Sequence, residues 1–469
     1  MEFIPKPKKG FVPVRFIEGD LSRYTGRELL IGYGEKEKLP LTPRKLRLFL
    51  RKVVATAKQN RLKKLDVNFK DIRNIAPKDM SDYDLGALAG EAFVMADYEF
   101  VEYKAKPKEG FSFVETIAIR NTPEEGKRGF WKGGYMVGKA VNAARELANI
   151  PGGDMTPTLL AKAARAAARS AGQTPKLTVK VLGRKEMEKL GMGAILGIAK
   201  GSSEEPQFII LEYFGAPKKE KPVVLIGKGV TFDTGGLQIK PGDHMYEMHM
   251  DMSGGAAVIH AVVLAAQLGI KANVVGLIPA VENSPSGQAV RPGDILKSFS
   301  GKTIEILHTD AEGRVILADA LTYAKRYKPR VVVDVATLTG AALVALGTQA
   351  TGLMSNDEKF QRQLIELGER SGDYLWPFPL WEEYDAMVKG TFGDVPNVST
   401  DGNSRHGGVI AGGKFLEVFA KELGCPWAHL DIAPRMTASQ NEFLAKGAAG
   451  APVRLLVALI EQYAGGTRR

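Results

Sequence analysis

The sequence predicts an α/β protein. A smaller N-terminal α/β domain spans residues 1–133. A larger C-terminal domain spans 134–469, with a mixed, largely parallel central sheet flanked by helices. Three observations predict it. Short apolar runs at 222–227, 274–279 and 331–335 read as buried strands. Helix-forming stretches at 256–268 and 315–327 separate them, the alternation that gives a parallel sheet covered on both faces. With 469 residues, the chain is long enough for two or more domains and a large core.

The elements follow in order. Leu46–Val54 is apolar at helical spacing inside a basic run. Residues 64–69 alternate as a half-buried strand does, and Leu85–Phe100 returns to helical spacing. Residues 104–128 are rich in Lys, Pro, Glu and Gly and read as a boundary ending near Gly129 or Gly133, with one strand-like run at Phe111–Ile119. A helix over Val137–Ala148 ends at Asn149-Ile150-Pro151-Gly152-Gly153. Thr156-Pro157 then opens another, with Thr as cap and Pro in first place, and Ala161–Ala171 consists almost wholly of helix formers. Strands are expected at 177–182 and 208–213, ahead of the three buried ones. The most apolar stretch, Val331–Leu346, contains Asp334 and turn residues and reads as a strand followed by a helix start.

Composition narrows the function classes. Hydrophobic residues make up 44% and charged residues 25%, ordinary globular usage that excludes a disordered chain, a collagen-like repeat and a coiled-coil rod. The single cysteine, Cys425, excludes an internal disulfide framework and a cysteine zinc site, and predicts a reducing, cytoplasmic setting. The first residues lack the apolar core of a signal peptide, and no uncharged apolar run of about 20 residues is seen, so no membrane association is expected. Net charge is +11. Residues 1–130 hold 26 Lys/Arg against 19 Asp/Glu, a net +7. That basic third reads as a solvated lysine-rich face, with attraction to nucleic acid or an acidic surface as the alternative.

In parallel sheets, ligands bind beyond the carboxyl ends of the strands. Four segments there carry unusual polar content: 227–241 (GKGVTFDTGGLQIKP), 250–257 (MDMSGGAA), 282–294 with Glu282-Asn283-Ser284-Pro285-Ser286-Gly287, and 309–314 (TDAEGR). Lys228, Asp233, Lys240, Asp251, Asp310 and Glu312 sit among Gly and apolar residues, where charges are poorly solvated and need partners. Any one alone is an ordinary turn residue or loop cap. Four carboxylates together repel one another, so divalent metal is the natural partner. Asp310 and Glu312 are two apart, and an extended strand points both to one side, with Arg314 continuing it. A pair of metals held this way polarises a carbonyl and delivers hydroxide.

These segments resemble the leucyl aminopeptidase family of dinuclear metallopeptidases. The resemblance runs from about residue 134 to 460. It includes Arg145-Glu146-Leu147-Ala148-Asn149, Ala336-Thr337-Leu338-Thr339-Gly340 and His429-Leu430-Asp431-Ile432-Ala433. Glu91, Phe93, Tyr98, Phe100, Tyr103 and Lys104 look like the end of the family's N-terminal domain, which implies a macro-like, shortened domain over 1–133 and a dinuclear catalytic domain over 134–469. The resemblance implies that Asp233 and Glu312 bridge two divalent ions, Mn or Zn, with Mg or Co as alternatives. Lys228, as a neutral amine, and Asp251 complete one site, and Asp310 the other. Lys240 stays charged and stabilises the oxyanion. Arg314 holds bicarbonate as general base. The backbone around Thr337, Leu338 and Gly340 binds substrate. A homohexamer acting on short peptides with a leucine-type preference is also implied.

Departures from the family pattern stand at His308, His249 and Ser253-Gly254-Gly255, and none removes an implied ligand. His308 and His249 read as partners of the ligands or as structural imidazoles. His244, His260, His406 and His429 read as structural. Two other classes are compatible with the sequence: a DNA-binding protein keeping the peptidase fold, and a two-metal phosphoesterase.

Overall fold

The computed structural model describes residues 1–172, 176–400 and 406–464. It divides into two compact units, Met1–Asn142 with Ala438–Gly447, and Ala143–Thr437 with Ala448–Arg469.

The first unit holds strands β1 (Glu2–Ile4), β2 (Val12–Ile17), β3 (Ser22–Tyr24), β4 (Leu29–Gly32), β5 (Lys64–Asn68) and β6 (Thr116–Arg120). They form one sheet in the order β1-β6-β5-β2-β4-β3. Only β3, against β4, is antiparallel. The helix Pro43–Gln59 starts at Thr42, whose hydroxyl accepts the Lys45 N–H with Pro43 in the first turn. It buries Leu46, Leu50 and Val53 against Leu85 and Phe93 of helix Asp82–Asp97. The strand-like run 111–119 pairs only from Thr116. Upstream, its polar groups go to the two helices instead: Val114 N–H donates to the Asp97 side chain and the Ser112 hydroxyl to Lys58 O. Strands β1–β4 have no counterpart in the periodicity reading. They are short, Pro13 breaks the pattern of β2, and Lys, Pro and Gly fill the segments between them.

The second unit is built on a nine-stranded sheet of β7 (Leu177–Leu182), β8 (Gln207–Phe214), β9 (Val223–Gly227), β10 (Gly229–Asp233), β11 (Asn273–Asn283), β14 (Val331–Ala336), β15 (Thr351–Ser355), β16 (Leu375–Pro377) and β18 (Trp427–Asp431). Its order is β16-β15-β18-β14-β9-β11-β8-β7, with β10 beside β11. The centre, β18-β14-β9-β11, is parallel, and β15, β8 and β7 run antiparallel to their inner neighbours. The sheet is therefore mixed and largely parallel at its heart, as expected. All five residues of β9 are buried, which explains their unbroken apolar character. Val224 and Ile226 pack in one cluster with Val315, Ile316 and Leu317 of helix Glu312–Ala324. Thr156 caps helix Pro157–Ser170 as its sequence position implies. A separate small sheet joins β12 (Ile295–Lys297), β13 (Thr303–Glu305) and β17 (Val395–Pro396).

The run Gly242–Gln267 is apolar enough on average to cross a membrane. Here it is a short helix, a 3₁₀ turn and the core helix Ser253–Gln267, mostly buried inside the unit.

Candidate metal centre

The carboxyl end of β9 delivers Lys228, and the end of β10 delivers Asp233. Lys228 is almost fully buried. Its Nζ lies 2.7 Å from Asp251 Oδ2 and 2.8 Å from Glu312 Oε1, and donates to Thr337 O at 2.9 Å. Asp251 sits in the turn before helix Ser253–Gln267, and its Oδ1 accepts the Thr337 hydroxyl at 2.5 Å. Glu312 is the first residue of helix Glu312–Ala324. The helix can approach this closely because residue 313 is Gly; a Cβ there would stand 2.8 Å from Lys228 Nζ.

Asp233 Oδ1 accepts from Gly235 N–H at 2.9 Å and from Asn283 Nδ2 at 2.8 Å. Its Oδ2 lies 2.7 Å from Lys240 Nζ, and Lys240 also pairs with Asp310. The chain turns between Asp233 and Lys240 through Gly235 and Gly236, at φ +87° and +67°, a region that side chains disfavour. Carboxylate oxygens of Asp233, Asp310 and Glu312 all lie within 4.8 Å of one another.

The six charged residues singled out in the sequence thus form one network. Asp310, Glu312 and Arg314 do not lie on an extended strand, contrary to expectation. Asp310 lies in a turn, and Glu312 opens a helix, so the carboxylates meet because the turn folds back. Arg314 lies outside these ion pairs: its Nη1 donates to Asn397 O at 2.9 Å, and among the described residues its buried Nε has no hydrogen-bond partner. Burial pushes its guanidinium down to about 10, against the pull of Glu312 and Asp431. Thr337 joins the network directly. The Leu338 N–H goes to Asp431 Oδ1 at 3.1 Å, and Gly340 begins helix Gly340–Leu346 with open space beside it. His308 accepts the Asp310 N–H on Nδ1 at 3.2 Å. His429 lies in the sheet, its Nδ1 2.5 Å from Asp334, away from the carboxylate network.

Sequence reading missed Asn283, Asn397 and Asp431 as supports of the site. Asn283 and Asp431 lie inside segments that had been noted. Nothing local marks Asn397.

The electrostatics are those of a cation site. Four carboxylates face two ammonium groups. Burial raises Asp251, Asp310 and Glu312 above the usual carboxylate range, and their mutual repulsion adds to it. Burial alone would push Lys228 and Lys240 down, but the surrounding carboxylates outweigh it and hold both amines well above the ordinary lysine value. Glu312 Oε2 is buried and has no hydrogen-bond partner among the described residues. Hard oxygen donors, excess negative charge and a buried unpartnered oxygen fit a divalent metal.

Fold and site together define an α/β protein with a carboxylate-lined centre for divalent metal. The family model described as "Cytosol aminopeptidase family, catalytic domain" matches residues 142–457, and the chain belongs to that family. A probable cytosol aminopeptidase of Saccharophagus degradans is 43% identical over 92% of this chain and 84% of its own length. One from Nitrosococcus oceani is 49% identical, over 71% of this chain and 64% of the relative. Among solved structures, the bottromycin maturation enzyme BotP aligns at TM-score 0.83 and 30% identity, covering 97% of this chain and all of that one. BotP in complex with Mn aligns at TM-score 0.82 and 30% identity, covering 96% of this chain and 98% of that one.

Proposed function

We propose that this chain is a metal-dependent aminopeptidase that releases N-terminal residues, leucine-type ones by preference, from short peptides. The observation that carries the reading is the excess of buried carboxylate over ammonium at the carboxyl end of the sheet, in a chain of this family. Asp233 and Glu312 would each serve two cations, Lys228 and Asp251 one of them, and Asp310 the other. Mn or Zn, or else Mg or Co, would supply Lewis acidity at the scissile carbonyl and lower the pKa of a bound water.

The protein's own groups do the rest. Lys240 remains an ammonium, held so by Asp233 and Asp310, and is placed to stabilise an oxyanion. Arg314 offers its Nε–H, which has no partner among the described residues, to a small anion such as bicarbonate, which suits a general base. The Thr337–Gly340 segment lies against Lys228 and Asp251, so its backbone can align a peptide beside them. Lys228 must give up its proton to become a donor, which a cation at the same carboxylates favours.

Glu312→Ala and Asp233→Ala are each expected to abolish Mn-dependent release of p-nitroaniline from leucine p-nitroanilide. Activity retained in either variant overturns the dinuclear reading. A homohexamer in the cytoplasm is the setting we propose. The DNA-binding and phosphoesterase readings have no observation in their favour.

A further inference from the structure

We propose that Asn397 is the positioning residue of this centre, setting where Asp310 and Arg314 stand relative to each other. The inference rests on the metal-centre reading above. Asn397 is fully buried and follows β17, which pairs in parallel with β13. The pairing ends with Asn397 N–H donating to Glu305 O at 2.9 Å. Beyond Glu305 the chain leaves the sheet, and residues 306–311 belong to neither helix nor strand before Glu312 opens its helix. Backbone groups in such a segment still need partners.

Asn397 supplies them. Its Oδ1 accepts from Leu307 N–H at 2.8 Å and His308 N–H at 3.1 Å. Its Nδ2 donates to His308 O at 2.6 Å and to Ala311 O at 3.4 Å. These contacts bracket Asp310, whose own N–H is tied to His308 Nδ1. The Asn397 carbonyl accepts Arg314 Nη1 at 2.9 Å, which fixes the guanidinium with its Nε left without a partner among the described residues. One residue therefore holds both the turn that carries a proposed metal ligand and the cation proposed to hold an anion.

The chemistry requires an amide. Only a side chain with both acceptor and donor can serve two N–H groups and two carbonyls at once. A carboxylate in its place would face the His308 and Ala311 carbonyls and repel them. A serine would leave most of these groups without partners. None of these contacts touches a proposed metal ligand's side chain directly, so the effect must pass through the position of Asp310. Outer partners of metal ligands commonly change affinity by about 10- to 100-fold.

The test is Mn(II) binding to the metal-free, full-length protein, measured by titration calorimetry alongside circular dichroism and Tm. Asn397→Asp and Asn397→Ser are expected to raise the Mn(II) Kd by about 10- to 100-fold and to lower kcat with little change in KM. Asn356→Ala is the matched structural control. It removes a bond to the Trp427 N–H and touches none of the site residues, so it should lower Tm without moving Mn(II) affinity. If Asn397→Asp does not fold, Asn397→Ser carries the comparison. Wild-type Mn(II) affinity in the folded Asn397 variants overturns the proposal, as does an equal loss in Asn356→Ala. Glu312→Ala separates the two layers. Should it bind Mn(II) like the wild type, the metal-centre reading itself falls. Should it lose Mn(II) while the Asn397 variants keep it, only the role of Asn397 falls.

Discussion

At the scale of single residues, the site was legible where charge was out of place. Lys228, Asp233, Lys240, Asp251, Asp310 and Glu312 announced themselves as ionised groups among Gly and apolar neighbours, and all six meet in the folded chain. Asn397 did not, because an amide after a short strand is unremarkable and its partners lie 83 to 92 positions away. Removing one member of a buried ion network leaves the others uncompensated, a cost of about 3–5 kcal/mol. Lys228→Met is therefore expected to destabilise the metal-free protein by about that amount in urea unfolding with EDTA present. Metal loading should expel the Lys228 proton, so calorimetry in buffers of different ionisation enthalpy should show proton release, and Mn(II) affinity should rise with pH. His260 gives a separate pH effect. Burial pushes it down to about 4. The unfolded chain thus binds the proton more readily, and stability is lost as pH falls from about 6.5 through that value. In His260→Gln, chemical unfolding between pH 7 and 4 should show a flatter loss.

At the scale of elements, apolar runs located the central strands well because these are buried on both faces. Edges and turns were read poorly. The segment 309–314 looked extended by its spacing, yet a turn and a helix start bring Asp310 and Glu312 together. Spacing cannot distinguish the two, since residues two apart share a face in an extended strand and can also be brought together by a turn. The glycine after Glu312 carries the strongest prediction here. By helix propensity alone, Gly313→Ala should stabilise by about 1 kcal/mol. The added methyl meets Lys228 Nζ instead, so the variant should lose Mn(II) affinity and show no gain in Tm. Thr156→Ala should cost about 1 kcal/mol by removing the cap on its helix, with Mn(II) binding unchanged.

At the scale of the whole molecule, the alternation of strand and helix foretold the α/β class and the mixed, largely parallel sheet. The grouping of Ala438–Gly447 with Met1–Asn142 left no trace in composition, because it depends on contacts across most of the chain length. A ligand that binds only the native state stabilises it by about 2.7 kcal/mol at a hundred times its Kd. Thermal scans should therefore show Tm rising with Mn(II) and falling on EDTA treatment. Light scattering at fixed metal should report a mass of six chains; a stable, active monomer would count against the hexamer.

That discontinuous first unit has a consequence for biosynthesis. Its closing piece, anchored where Glu442 nears Arg51 at 3.9 Å, leaves the ribosome some 300 residues after the opening piece. At about 5–20 residues per second, that is a delay of roughly 15 to 60 seconds. Throughout it the nascent unit stays one segment short, so chaperone demand should concentrate on this interval, and a fragment ending at residue 142 should be poorly behaved when expressed alone.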